Sequence, residues 1–193
     1  VLQQMGKVAG VLDEFIQPFK TGPLVDQSGT YTRNAIMVNQ PMFDNIVNNG
    51  LYSKEGQQAF FTKADNRIAF SCGVKEDKHV GAIMVKSAWK VLGGNDNPQD
   101  FHAVDALVYT PGNADPSKGA VIPESCNVQK VGLVGLHIVH KTKDAPQWVW
   151  SSFEHVRNVP EKTTPMNESK GPYLFYNAQA SDRPVNEPPA QPW

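Results

Sequence analysis

The sequence carries almost no excess charge of either sign. Its 18 lysines and arginines face 19 aspartates and glutamates across 193 residues, for a formal net charge of −1. The broad basic field of a general nucleic-acid-binding protein is therefore absent. The longest apolar run, at 131–139, suits one buried strand and falls well short of the roughly 18 residues of a membrane-spanning helix. We predict neither a nucleic-acid partner nor a transmembrane segment.

Several motifs that mark enzyme classes are also missing. The chain contains no Gly-x-Ser-x-Gly elbow, no Gly-x-x-x-x-Gly-Lys-Ser/Thr loop and no Gly-x-Gly-x-x-Gly fingerprint, so the common hydrolase, nucleotide and dinucleotide signatures do not apply. The sequence leaves open whether the protein is an enzyme.

Cysteine is scarce, with only Cys72 and Cys126 present. A bridge between them would close a loop of 54 residues and, in the chain-entropy account, would stabilise the fold by roughly 4 kcal/mol. An even count of two is a weak disulfide signal, and two small buried thiols would give the same sequence. Cys72 and Cys126 are therefore a disulfide candidate.

The composition that remains is typical of a globular chain. Hydrophobic residues make up 40% and aromatic residues 9%, which suits a packed core rather than disorder. Apolar residues recur at helical spacing over 1–16, and Asn39 and Ser53 precede two further short helices as N-caps. We predict a helical portion over 1–60.

From residue 67 the pattern changes to β structure. Turn residues separate five strand candidates, at 67–72, 80–92, 103–109, 131–141 and 148–156. The linkers are too short for helical crossovers, so neighbouring strands should be antiparallel. Seven of the 15 prolines lie beyond residue 156, which indicates an extended arm.

These patterns together predict an α+β, mainly β fold. Its centre is an antiparallel sheet or sandwich over about 67–156, with N-terminal helices packed on it. We expect one globular domain at 1–156 and a Pro-rich arm at 157–193.

Four stretches of the sequence are distinctive. They are VGLVGLHIVHKT at 131–142, PQWVWSSFEHV at 146–156, VKSAWK at 85–90 and GPLVDQ at 22–27. With these stretches the chain resembles a poorly characterised family of secreted bacterial proteins that are often labelled "cytochrome c family". The resemblance runs along most of the chain and implies export to the periplasm or to the outside of the cell.

One feature of that family has no counterpart here. Its members are longer and carry a Cys-x-x-Cys-His haem-attachment motif towards the C-terminal end, and this sequence has none. We therefore expect no covalent c-type haem on this chain. The start at Val1 and the Pro-rich end lead us to expect a mature portion or fragment of a longer precursor. The resemblance implies a structural or accessory module and supplies no reaction.

Histidines on predicted strands form one candidate site. His137, His155 and His102 could supply imidazoles, with Glu154 as a carboxylate, and this set would suit Zn, Cu or Fe. The sequence does not fix the strand register that would bring His137 opposite His155 or Glu154. No tight ligand spacing accompanies the histidines. Sheet histidines that hydrogen-bond to their neighbours are therefore the alternative.

A second candidate site is an ion pair. Lys86 lies in an otherwise apolar run, and a charge there needs a partner if its face is buried. Glu154, in an equally apolar strand, is the predicted partner. The pair is either structural or, if it lines a cleft, a catalytic pair for proton transfer.

Two tryptophans form a third candidate. Trp148 and Trp150 would share one face of a strand, and paired aromatic rings could stack on a sugar. Half-buried sheet residues are the alternative. Three functions stay open: an accessory module, a metal-dependent enzyme or redox site, and a glycan- or ligand-binding β module.

Overall fold

The computed structural model describes residues 2–5, 24–63, 66–76, 78–110, 123, 125–145, 147–161 and 173–177. The strands in these ranges are β1 (Leu2–Met5), β2 (Arg33–Asn39), β3 (Ile83–Val91), β4 (Ala103–Thr110), β5 (Ser125–His140) and β6 (Val149–Glu154). The helices are α1 (Gln40–Asn48) and α2 (Lys54–Phe61), with a short 3-10 helix at Pro98–Asp100. The protein is mainly β, as predicted.

The strands belong to one sheet in the order β1-β2-β3-β5-β4, and β6 pairs with β5. β1 runs antiparallel to β2, and β4 runs antiparallel to β5. The prediction of antiparallel neighbours is confirmed. The second sheet that a sandwich would need stays a prediction.

Both short helices begin where their capping residues predict. The Asn39 side chain accepts a hydrogen bond from Met42 N and caps α1, which has Pro41 in its first turn. The Ser53 hydroxyl accepts from Gly56 N and caps α2. Each cap satisfies a backbone N–H that the first helical turn cannot satisfy.

Two predicted elements are wrong in the described residues. Leu2–Met5 is a strand rather than the start of a helix over 1–16, because its backbone pairs with β2, Leu2 opposite Asn39 and Met5 opposite Ile36. The remainder of that predicted helix lies outside the described residues. The predicted strand at 67–72 is absent as well, since this segment makes single backbone bonds, such as Ala82 N to Ser71 O, rather than a ladder.

The chain divides into two compact units, each built from three stretches. The first comprises Val1–Gly6, Ala35–Lys86 and Leu136–Phe153. Its core is formed by the buried residues Val38, Met42 and Ala82, with Phe43, Ile46, Phe70, Met84 and Trp148 packed against them. Asn39 also fixes this core, since its Nδ2 donates to Gly81 O and its Oδ1 accepts from Ile83 N.

The second unit comprises Lys7–Asn34, Ser87–Gly135 and Glu154–Trp193. Its core contains Phe101, Val134 and Leu174. Leu174 docks firmly, because its N donates to Arg157 O and its O accepts from Gln27 N. Most of the predicted arm at 157–193 lies outside the described residues, and both the arm and the single domain at 1–156 stay predictions. No helix in the described ranges is both long and apolar enough to cross a membrane.

Candidate functional site

Strand β6 is exposed along its whole length. All six of its residues are solvent-exposed, and Trp150 keeps 63% of its surface accessible. Among the described strands β6 pairs only with β5. Successive side chains of a strand point to opposite faces, so Trp150 and Ser152 share one face while Val149 and Phe153 share the other. The Trp150 ring is therefore accessible to another molecule.

A polar pair accompanies Trp150 on its face of β6. The Nδ1 atom of His137 on β5 lies 2.8 Å from the Ser152 hydroxyl oxygen. The sequence leaves the register open between His155 and Glu154 as partners of His137, and the structure places Ser152 against it instead. Ser152 lies two residues along β6 from Trp150, roughly 7 Å away. The contact with His137 orients its hydroxyl.

The two tryptophans do not form an exposed pair. The Trp148 ring is half-buried and packs edge-to-face on Phe70, with ring centroids 5.6 Å apart. Lys141 Nζ lies 5.6 Å from the Trp148 ring centroid, in cation–π range. Trp148 therefore belongs to the core of the first unit, and Trp150 alone is available for stacking.

The histidines chosen as metal ligands make other contacts. Nε2 of His155 lies 2.9 Å from Asp100 O, and its Nδ1 accepts from Arg157 N at 3.2 Å. The ring also stacks on Phe101, at 4.5 Å between centroids. His102 is exposed, with its ring 6.2 Å from that of Trp89. Both nitrogens of His155 are occupied by backbone groups, which matches the alternative of hydrogen-bonded sheet histidines.

No group of three His, Cys, Asp or Glu side chains within the described residues could hold a metal ion. His137, His155 and His102 are thus not assembled into a binding set there. Cys72 and Cys126 are both free thiols, so the candidate disulfide is not formed.

The structure gives the strand and the exposure of Lys86 and of Glu154. Lys86 is half-buried on β3, and Glu154 is exposed at the end of β6. Their pairing stays a prediction.

The most unusual electrostatic feature of the second unit is a buried lysine between two aspartates. Lys90 Nζ lies 2.6 Å from Asp26 Oδ2 and 2.8 Å from Asp96 Oδ2. The three side chains are 3%, 1% and 9% exposed. Charges removed from water to this extent persist only when they are paired, because desolvation of a lone ion costs several kcal/mol.

Backbone groups hold both carboxylates in place. Asp26 Oδ1 accepts from Ser28 N at 2.9 Å and from Thr30 N at 2.8 Å, within the turn between Val25 and Tyr31. Gly93 N donates to Asp96 Oδ2 at 2.8 Å. Two turns are therefore fixed to β3 through Lys90.

The cluster shifts the pKa values of two of its members. Burial works to lower the pKa of Lys90, but the close contact with Asp26, the hydrogen bond to Asp96 and the charges of both carboxylates outweigh it, and the pKa rises above its ordinary value of 10.5. Burial works to raise the pKa of Asp96, but the bonds from Lys90 and from the Gly93 backbone prevail, and the pKa falls below 3.8. Both shifts mean that charged Lys90 and charged Asp96 are more stable in the folded than in the unfolded protein.

These shifts predict how the free energy of unfolding depends on pH. The contribution of Asp96 is present above its unfolded pKa, near 3.8, and is lost as the pH falls through the lower folded value. The contribution of Lys90 is complete below 10.5 and is lost as the pH rises through the higher folded value. We expect urea unfolding at a series of pH values to show a plateau between these limits. In Asp96→Asn the acid-side loss should shrink, and an unchanged acid branch would contradict this assignment.

Sequence reasoning missed this cluster, although a signal for it existed. Lys90 lies among apolar residues of β3 as Lys86 does, and the same argument about a buried charge applies to both. Its partners could not be found in the same way, because Asp26 and Asp96 lie in turns whose composition is typical of solvated loops.

Comparisons with known proteins identified no relative of this chain. No family model matches the chain, and searches among curated proteins and solved structures found nothing similar. Export and membership of the cytochrome-c-labelled family therefore remain proposals.

Proposed function

We propose that this protein is an exported accessory module that binds a carbohydrate through the face of β6 that carries Trp150 and Ser152. The observation that carries the proposal is Trp150, which is 63% exposed beside the hydrogen-bonded pair of Ser152 and His137. Stacking a ligand on this ring would remove a large apolar area from water, which gives the face a source of binding free energy.

The chemistry of the face suits a sugar. The C–H faces of a pyranose ring can pack flat on an indole ring, and the sugar hydroxyls need polar groups that can both donate and accept. Ser152 and His137 provide such groups on the same face. Few stacking rings and few polar atoms imply a weak site for one or two sugar units.

The export implied by the family resemblance fits a ligand outside the cell and keeps the chain in the accessory role expected from its sequence. The alternative of a metal-dependent enzyme lacks a geometric basis in the described residues, where the candidate histidines are not assembled. Binding is therefore the reading that the geometry favours.

Trp150→Ala tests this function. We expect the tryptophan fluorescence of the full chain to change on titration with at least one member of a panel of soluble oligosaccharides. The substitution should weaken that binding at least about tenfold, since loss of an aromatic stacking contact together with its buried area is worth about 1.4 kcal/mol or more.

The matched control is Tyr52→Ala. Tyr52 is an exposed aromatic residue of the same unit, with 71% of its surface accessible, and belongs to the turn before α2 rather than to β6. It should leave the titration unchanged. A panel without any response in the wild-type chain, or an equal loss in both variants, would contradict the carbohydrate proposal.

A further inference from the structure

We propose that Lys90 and Asp26 form an intramolecular isopeptide bond, with Asp96 as the group that relays protons. No cofactor or external reactant is needed, because the amine, the carboxyl group and the relay are all present in the cluster. The proposal is independent of the carbohydrate site.

Burial and contact favour the reaction. Lys90 Nζ and Asp26 Oδ2 are 2.6 Å apart, and both side chains are almost completely withdrawn from solvent. Reactive groups held in contact behave as if at very high concentration, which removes much of the entropic barrier to bond formation. Exclusion of water also limits the reverse hydrolysis.

The two carboxylates have different environments, and this assigns their roles. Asp26 Oδ1 accepts two backbone N–H bonds, from Ser28 and Thr30. These donors would stabilise the oxyanion that develops when an amine adds to Cγ. Asp26 Oδ2 accepts no bond of normal hydrogen-bond geometry even though Lys90 Nζ lies against it. Asp26 is therefore the acyl group.

Asp96 is placed as the acid–base group. Its Oδ2 accepts a hydrogen bond from Lys90 Nζ at 2.8 Å, so it can take a proton from the ammonium and return it to the departing oxygen. That first transfer works against the pKa shifts that favour the charged forms. We therefore expect a slow reaction that runs once in each folded molecule.

The atoms balance without a co-reactant. The Nζ–Cγ bond forms and the Cγ–Oδ2 bond breaks. Of the three hydrogens on the ammonium nitrogen, one stays on the amide and two leave with the Asp26 Oδ2 oxygen as water. No group is oxidised or reduced.

Intact-mass spectrometry of the full chain under denaturing conditions tests the proposal. After incubation at neutral pH, we expect the wild-type chain to be lighter than its sequence mass by one water. A proteolytic digest should contain one branched peptide that joins residues 26 and 90. Asp96→Asn should form the bond markedly more slowly.

Lys90→Arg is the decisive variant, since it keeps a cation for both aspartates but has no nucleophilic amine, and it should show the full sequence mass. Lys130→Arg is the matched control, because Lys130 lies 2.7 Å from Asp105 in an ion pair that is about half exposed, and it should still lose one water. A wild-type chain at full mass would overturn the proposal. So would a water loss that persists in Lys90→Arg, or a digest that joins Lys90 to Asp96.

Discussion

Measured against wild-type chain at its full sequence mass, Lys90→Met is expected to lower the free energy of unfolding by about 3–5 kcal/mol, the range found when one partner of a buried ion pair is removed. The substitution leaves Asp26 and Asp96 facing each other with 1% and 9% of their side chains exposed and no cation between them. Methionine fills a similar volume, so the loss reports the missing charge rather than a cavity. Urea unfolding followed by circular dichroism at neutral pH measures it.

The control for this prediction is Lys130→Met. Lys130 and Asp105 approach as closely, at 2.7 Å, but their side chains are 47% and 63% exposed, and a solvent-exposed pair contributes at most about 1 kcal/mol. Equal losses in the two variants would show that burial does not set the value of the Lys90 cluster. Measuring the intact mass of each sample separates the ion-pair contribution from that of a covalent bond.

Local signals in the sequence predicted local structure well. Asn39 and Ser53 were identified as N-caps because their side chains can satisfy free N–H groups of the first turn, and both do so in the structure. Such an interaction involves residues only three positions apart. It therefore depends little on the rest of the fold.

Prediction of secondary structure from local periodicity failed where pairing with a distant part of the chain decides the outcome. Leu2 and Met5 fit a helical repeat, yet their backbone pairs with β2 some thirty residues later in the chain. The segment at 67–72 shows the reverse case, because its composition is typical of a strand but it forms no ladder. Periodicity gives a tendency, and the available pairing partner decides the outcome.

The register of β5 could not be read from the sequence either. Leu92 N donates to Lys130 O at one end of the β3–β5 pairing, and Lys141 N donates to Ala82 O at the other. The two bonded pairs therefore differ in register by one residue, which counting alternate residues along one strand cannot reveal.

The β5–β6 pairing decides the candidate site. Counting alternate residues could not establish which side chain of β6 faces His137, and the structure places Ser152 there instead of His155 or Glu154. One residue of the proposed binding face was visible in the sequence, since Trp150 was among the stacking candidates. The combination of Trp150 with Ser152 and His137 depended on register, whereas Trp148 lies just before β6 begins and packs in the core.

Gly81→Ala is expected to be strongly damaging for so small a substitution, at about 3 kcal/mol or more of unfolding free energy. Gly81 has φ of +73°, a region that residues with a Cβ rarely adopt. An added Cβ would also lie 2.2 Å from Gly73 N and 2.6 Å from Cys72 C, both backbone atoms. Relief would move Gly81 O away from Asn39 Nδ2, which now donates to it at 2.7 Å, and Asn39 also caps α1.

Gly29→Ala separates the two causes of that loss. Gly29 has nearly the same φ, +77°, but nothing lies within 4 Å of an added Cβ. It should cost only about 1 kcal/mol, the conformational penalty reduced by the lower entropy of the unfolded chain. Urea unfolding of both variants is the measurement. If Gly81→Ala cost no more than Gly29→Ala, the close backbone approach between Gly81 and Gly73 would be absent in solution, and the Asn39 bridge to Gly81 and Ile83 would lose its structural basis.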